Sequence, residues 1–192
     1  MSKLKSGKKV VEKVIHSTPM QLWISAGLAH PGPPLGPQLG QRGINIAQFC
    51  KDFNERTKDV KPGVPLPCNI SINADRSYNL TIRVPPLTYF IRQASGCERG
   101  AIIPSTETAG YLSVKHVYEI AKVKSADPIY DCVPLNKICE DIIESAKTCG
   151  IKVVYKLDNE WYKEFLIERQ KIVEQQLKEL DEKRQAKMLR TG

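Results

Sequence analysis

The chain has 192 residues, a net charge of +8 and an isoelectric point near 9.2. With 41% hydrophobic and 26% charged residues it can bury one large or two small cores, which excludes a chain that is disordered throughout. The basic balance favours a polyanionic partner. No signal peptide and no apolar run of about eighteen residues is found, so we predict no membrane span.

Residues 1–19 hold five lysines and one glutamate without a hydrophobic pattern. They predict a basic, flexible segment, either a solvated tail or an arm that contacts phosphates. As a mitochondrial presequence the segment is atypical, because it has no arginine.

Residues 20–84 predict a compact α+β domain. Alternating apolar residues at 20–27 indicate a strand with one buried face, and residues 69–84 have the pattern of a hairpin whose turn is "NADRS". Between them, Asn45 is a good helix N-cap for the amphipathic segment that follows. Together these elements predict a three-stranded antiparallel sheet with a helix.

The stretch "HPGPPLGPQLGQRG", residues 30–43, has four prolines and four glycines in fourteen residues. Proline lacks an N–H group, so this stretch is unsuited to a helix interior, a central strand or a phosphate cradle. Two interpretations stay open. The stretch is a rigid connector into the helix at Asn45, or it is a preorganised contact surface.

Residues 85–155 predict a hinge followed by a small, mainly helical domain. Pro85 and Pro86 stiffen the chain, and three helical segments and a short strand at 152–155 follow. Gly96 and Gly150 are predicted to end the first and third helices, and Ser113 to cap the second. The 97–110 loop is long enough to expect a function for it.

Residues 156–192 predict a long, highly charged helix that begins after Asp158. Only a thin apolar stripe, formed by Leu166, Val173, Leu177 and Leu180, runs along it. The helix is either solvated and partly frayed, or it docks on a partner.

The sequence carries no catalytic motif and no motif for a nucleotide. The six cysteines form no Cys-x-x-Cys pair, and none lies at zinc-ligand spacing from the three scattered histidines. We therefore predict free thiols in a reducing compartment, with no bound metal and no cofactor. We therefore predict a binding protein, not an enzyme. Hydroxyls and lysines on the second and third helices suit RNA sugars and phosphates: Lys115, Lys122, Lys124, Ser145, Lys147 and Thr148.

Six motifs, in order over residues 20–155, resemble those of the ribosomal large-subunit protein eleven family, of the bacterial and organellar type. They include "PGPPLGPQLGQRGINIAQFCKDFNERTKD", "DRSYNLTI", the "PP" joint, "AGYLSVKHVYEIAKVK" and "SAKTCGIKVV". The resemblance implies an N-terminal domain, 20–84, that faces translation factors, a hinge at 85–86, and a C-terminal domain, 87–155, that binds rRNA. The tail at 156–192 extends past the usual bacterial end and resembles the mitochondrial branch.

The resemblance implies a structural constituent of the mitochondrial large ribosomal subunit, in the matrix, at the GTPase-associated centre. The implied partners are large-subunit rRNA, translational GTPases, and stalk and neighbouring ribosomal proteins, with no small-molecule substrate. The predicted factor-contact residues are Pro31, Pro33, Pro34, Gly36, Pro37 and Gln41. The predicted rRNA-binding residues are Arg92, Gly96, Ser113, Lys115, Lys122, Lys124, Lys137, Ser145, Lys147, Thr148 and Gly150.

Three carboxylates depart from what an RNA surface requires. Glu144 stands on the third helix where the family often has glycine, and the 97–110 loop carries Glu98 and Glu107 but no lysine. Carboxylates repel phosphate, so these residues predict weaker or redistributed RNA contacts. Two alternatives remain: a module whose Pro-rich segment binds a protein without any RNA role, and an unrecognised enzyme.

Overall fold

The computed structural model describes residues 18–73 and 77–191, with side chains up to residue 188. The predicted basic segment at 1–17 and the centre of the "NADRS" turn lie outside the described residues. The chain divides into two compact units, residues 1–83 and 84–192. Its elements, in chain order, are β1 Met20–Ser25, α1 Leu35–Gly40, α2 Ile46–Arg56, β2 Pro65–Ile72, β3 Tyr78–Ile82, α3 Leu87–Ala94, β4 Gly110–Ser113, α4 Val114–Lys124, a 3₁₀ turn Pro128–Tyr130, α5 Leu135–Thr148, β5 Ile151–Val154 and α6 Asn159–Thr191.

The N-terminal unit is an antiparallel sheet of order β1-β2-β3 covered by helices. Leu22 lies opposite Cys68 and Ile24 opposite Leu66, and all four side chains are buried, as the alternation along β1 requires. From α2, Phe49 and Phe53 complete the core. The predicted three-stranded sheet and the cap at Asn45, whose Oδ1 accepts from the Gln48 N–H, are confirmed.

Two predictions about proline-rich segments are wrong in detail. The 30–43 stretch contains a short helix, α1, because Leu35 and Leu39 are buried one turn apart and Pro37 falls in the first turn, where an N–H has no helical partner. The central strand β2 starts at Pro65, earlier than the hairpin pattern indicates. The Pro67 carbonyl accepts from the Arg83 N–H, just past the last paired residue of β3, so the N–H that Pro67 lacks would face this end of β3 and no bond to β1 is lost.

In the C-terminal unit, α3, α4 and α5 pack around a core that contains Ile91, Leu112, Ile138 and Ile142, all fully buried. The short strands β4 and β5 pair in parallel, with Gly110 opposite Ile151. The predicted three helices and short strand are confirmed, but β4 is an additional strand. Four residues are too few to show a strand period, and β4 is fixed by pairing with β5.

The described helices include none that is both long and apolar enough to cross a membrane. All six cysteines are free thiols.

Candidate nucleic-acid interface

The last turn of α5 presents polar side chains at the surface of the C-terminal unit. Ile142 and Ala146 hold this helix in the core, which turns Lys147 and Thr148 outward and leaves Ser145 half-buried. The Thr148 hydroxyl donates to the Ser145 carbonyl at 2.8 Å. This end of α5 therefore offers a cation and a hydroxyl in one turn, which suits contacts to phosphate and ribose.

Gly150 joins the end of α5 to the 97–110 loop. It has a positive φ of 74°, as a residue after a helix C-cap requires, and a Cβ there would lie 2.4 Å from the Ala101 Cβ. The Gly150 carbonyl accepts from the Ala109 N–H at 2.7 Å, and the Cys149 carbonyl accepts from the Ala101 N–H at 3.0 Å. Gly150 is buried, so its position serves close backbone packing and not an exposed contact.

The start of the 97–110 loop is tied to α3. Arg92 is half-buried and donates to the carbonyls of Thr88 and Glu98, while Gly96 follows the helix with a φ of +65° and is exposed. Hydrogen bonds to backbone carbonyls thus connect Arg92 to the 97–110 loop, and connect that loop to the end of α5.

The other predicted RNA-binding lysines lie elsewhere on this unit. Lys115 is exposed in the first turn of α4. This turn adjoins Ser113, at the end of the β4–β5 pair that lies away from Gly150. Lys137 is in the first turn of α5, about 15 Å along the helix from Lys147, and it pairs with Glu140 and Asp141, which raise its pKa. Lys122 is exposed in the last turn of α4. The predicted residues therefore do not form one continuous surface.

Burial excludes two of the predicted residues from direct contact with RNA. Lys124 is only 5% exposed, and its Nζ donates to Asp127 at 3.1 Å and to the carbonyls of Val84 and Pro85. Ser113 is buried and its hydroxyl accepts from the His116 N–H in the capping box that begins α4. Lys124 thus fixes the Pro85 segment to the end of α4, and Ser113 acts as the predicted cap.

Glu107 does not present the negative charge that its place in the 97–110 loop predicts. Its Oε1 accepts from Arg169 Nη1 and from Gln176 Nε2, and its Oε2 accepts from the Ile102 N–H at 2.7 Å. Burial alone would raise the pKa of Glu107, but these hydrogen bonds outweigh it and lower the pKa to about 2. Glu98 and Glu144 are exposed, as expected.

The first half of α6 docks on its own unit, which the sequence did not indicate. Trp161 and Phe165 pack on the ring of Tyr111 with centroid distances of 5.0 and 5.2 Å. The Tyr162 hydroxyl donates to the Ser95 carbonyl and accepts from the Tyr111 N–H, and burial raises the pKa of this phenol to about 12. Neither predicted alternative, a solvated helix or one that docks on a partner, includes this contact.

The N-terminal unit has a groove of about 650 Å³ beside the 30–43 stretch. Trp23 and Leu28 are exposed, and together with Pro33 and Pro34 they line the groove. Of the predicted contact residues, Gly36 is half-buried and the others are exposed: Pro31, Pro33, Pro34, Pro37 and Gln41. The unit therefore presents an apolar, weakly charged surface made of rigid residues.

Two side chains of the N-terminal unit fix the chain just before the 30–43 stretch. Asn54 accepts from the Ala29 N–H at 3.0 Å and donates to the Ala29 carbonyl at 3.1 Å, and the Thr57 hydroxyl accepts from the Gly27 N–H. The sequence signal for both is weak: polar residues at or near the end of an amphipathic helix. Their roles depend on a chain segment about 25 to 30 residues away.

The two units form an α+β protein that presents a polar surface at the end of α5 and an apolar groove beside the 30–43 stretch. Residues 20–78 match the family model for the N-terminal domain of ribosomal protein L11, and residues 83–153 match the model for its RNA binding domain. The chain belongs to the ribosomal protein L11 family, as its motifs predict. The prediction that it is not an enzyme follows from this membership.

The similarity to individual relatives differs in extent. The chain is 57% identical to large ribosomal subunit protein uL11m of Drosophila melanogaster over 190 residues, 99% of this chain and 97% of that protein. It is 49% identical to the uL11m of Caenorhabditis elegans over 96% of this chain and 94% of that protein. The uL11m of Schizosaccharomyces pombe is 42% identical over 96% of its own length, but this covers only 72% of this chain.

Proposed function

We propose that this chain is a constituent of the mitochondrial large ribosomal subunit and binds large-subunit rRNA at the GTPase-associated centre. The match of residues 83–153 to an RNA binding domain carries the proposal. The relatives are named uL11m, where the final letter stands for the mitochondrial ribosome. The similarity to the Drosophila melanogaster protein extends over nearly the whole chain. We therefore place the protein in the mitochondrial matrix.

The RNA surface that we propose is the end of α5 together with the 97–110 loop and the end of α3. Lys147 and Thr148 are exposed there, and Arg92 is joined to the same region through Glu98. Lys115, Lys122 and Lys137 lie apart from it and contribute general attraction to phosphates, which does not need exact placement. Because Glu107 is paired within the unit, it adds little repulsion.

The N-terminal unit is proposed to face translational GTPases and the neighbouring proteins of the stalk. Its groove at Trp23, Pro33 and Pro34 is apolar and rigid, and a surface that is fixed before binding loses little conformational entropy when a partner covers it. The proposed layout is thus a factor-facing domain at 20–84, a hinge at 85–86, an rRNA-binding domain at 87–155 and a helical extension at 156–192.

The proposed function is tested by co-sedimentation of the tagged chain with mitochondrial large subunits, followed by RNA crosslinking. We expect crosslinks from the end of α5 into one rRNA segment. Lys147→Glu should weaken binding, whereas Lys171→Glu, the same charge change at an exposed position of α6, should not. Absence of the wild-type chain from the large subunit would contradict the proposal, and a protein partner retained without RNA would favour the Pro-rich interaction module.

The role of the N-terminal unit needs a separate experiment. Large subunits that carry Pro33→Ala and Pro34→Ala together should retain the protein but bind a translational GTPase more weakly. A matched variant is Pro65→Ala, at the start of β2, outside the groove. Equal binding of the GTPase to both kinds of subunit would contradict the proposed factor contact.

A further inference from the structure

A cleft of about 200 Å³ lies between residues 96–99 and the middle of α6. Its walls include Arg99 and Arg169, with Leu166 and Val173 as apolar neighbours. A water molecule takes about 30 Å³ in the liquid, so this space admits several waters or one phosphate group. The cleft belongs to the C-terminal unit, whereas the groove at Trp23 belongs to the N-terminal unit.

Three guanidinium nitrogens at this cleft are buried and have no hydrogen-bond partner among the described residues. They are Nη1 of Arg99 and Nε and Nη2 of Arg169. Arg169 as a whole is only 5% exposed. Buried charged donors without acceptors are costly, so their presence in one cleft points to a ligand with several acceptor oxygens.

Glu107 satisfies only one side of the Arg169 guanidinium. It accepts from Nη1, while its other contacts are Gln176 and the Ile102 N–H. Nε and Nη2 form the other edge of the planar group, where two N–H bonds lie side by side, buried and without an acceptor among the described residues. This edge is the one that binds phosphate in a bidentate manner. Glu107 therefore orients the guanidinium and leaves its phosphate-binding edge unpaired.

We propose that this cleft binds a phosphate group of the RNA backbone, with Arg169 as the bidentate donor and Arg99 as the second cation. The inference rests on the proposed function, because it takes RNA as the source of the phosphate. Arg99 belongs to the matched RNA binding domain, whereas Arg169 lies beyond residue 153, outside both family models. Glu98 is the acidic residue among the cleft's lining residues, and it is exposed.

The first experiment titrates inorganic phosphate into the full chain at constant ionic strength and follows the arginine Nε–H resonances by NMR. We expect the Arg169 resonance to shift with phosphate and not with chloride. Arg99→Gln should reduce the apparent affinity, while Lys171→Gln, an equal charge change on α6 outside the cleft, should leave it unchanged. The hydrogen bonds of Glu107 to Arg169 and Gln176 do not involve Arg99, so this variant keeps the bonds that hold α6 at Glu107.

The second experiment measures binding of a large-subunit rRNA fragment by the same three proteins. Loss of one charge-assisted phosphate contact should weaken binding by Arg99→Gln about tenfold and reduce the slope of log affinity against log salt by about one. Lys171→Gln should behave as wild type. A fourth protein, Arg169→Lys, keeps the positive charge but lacks the two parallel N–H donors of the guanidinium. It should therefore weaken RNA binding as well.

The two experiments separate the possible failures. No phosphate-dependent shift at Arg169 overturns the cleft as a phosphate site. A shift with phosphate but equal RNA affinity of Arg99→Gln and Lys171→Gln overturns RNA as its source and leaves a site for free phosphate. Failure of the wild-type chain to bind the rRNA fragment overturns the proposed function, and the phosphate titration still decides the cleft. An acidic peptide is titrated in the same way, and a shift with this peptide but not with phosphate overturns the phosphate site and assigns the cleft to a carboxylate.

Discussion

Lys124 and Lys147 show how two residues of one type, each near the end of a helix, take opposite roles. Lys124 is buried against Asp127 and two backbone carbonyls, whereas Lys147 is exposed on α5. Nothing in the local sequence separates them, because their difference comes from the segments that pack beside each helix. At the residue scale, the predicted set of RNA-binding lysines therefore divides into a structural and a surface group.

Replacement of these two lysines should have opposite consequences. Lys124→Met removes the cation 3.1 Å from the buried Asp127 carboxylate, together with its bonds to the Val84 and Pro85 carbonyls, and should lower the free energy of unfolding by about 3 kcal/mol. Lys147→Met should leave stability within about 0.5 kcal/mol of wild type and weaken binding of the rRNA fragment. Urea unfolding and RNA titration of both variants test this. Wild-type stability of Lys124→Met would contradict the assigned role.

Tyr162 is the residue on which the docking of α6 depends most directly. Tyr162→Phe removes the hydroxyl that bonds both the Ser95 carbonyl and the Tyr111 N–H and should destabilise the C-terminal unit by about 1–3 kcal/mol. The measurement is thermal unfolding followed by Trp161 fluorescence in a Trp23→Phe background.

Tyr155→Phe is the matched control for this prediction, because Tyr155 is 88% exposed. It should unfold at the wild-type temperature. Equal unfolding temperatures of Tyr162→Phe and Tyr155→Phe would show that the buried hydroxyl does not hold the helix.

At the scale of elements, α6 differs most from its prediction. Its apolar stripe is thin, and its hydrophobic residues alone do not show that it packs on the chain that carries it. The contact is made by an aromatic cluster with Tyr111 and by the Glu107 pair with Arg169. Polar and aromatic contacts of this kind leave little periodic signal, because Arg169 and Gln176 have the composition of a solvated face.

The docking of α6 should depend on acid through Glu107. Its pKa is about 2 in the folded chain against 4.5 ordinarily, so its contribution to stability is present above about pH 4.5 and is lost as the pH falls toward 2. We expect wild type to be more stable than Glu107→Gln at pH 6 and the difference to shrink by pH 2. Denaturant unfolding at several pH values measures it. A difference that stays constant over this range would contradict the prediction.

At the scale of the whole molecule, the described residues form two cores, one in each unit. One contains Phe49 and Phe53 beneath the three-stranded sheet, and the other contains Ile138 and Ile142 of α5. Each unit thus has the buried apolar surface that a small domain requires. Damage to one core is therefore expected to remain mostly in its own unit.

Phe53→Ala tests this independence. Removing a fully buried aromatic ring should destabilise the N-terminal unit by about 3–5 kcal/mol. Hydrogen exchange should show lost protection of the amides in β1, β2 and β3, while those in α4 and α5 remain protected and the rRNA fragment is still bound. Loss of protection throughout the chain would mean that the two units unfold as one.

Periodicity and capping are local properties, so the α+β class could be predicted from the residues alone, as could the three-stranded sheet and the three helices of the second unit with their end residues. The Asn45 cap and the glycines at 96 and 150 belong to this group. The family was also decided at this level, since its motifs are stretches of sequence.

Which polar residues are free could not be predicted without the three-dimensional packing. Lys124 and Glu107 are engaged inside the C-terminal unit, α1 forms in a stretch rich in proline and glycine, and α6 packs on its own unit. Each of these outcomes depends on a partner that is distant in sequence, or on burial that the whole unit supplies. The charge pattern of the sequence cannot show that Glu107 pairs with Arg169, which lies 62 residues further along the chain.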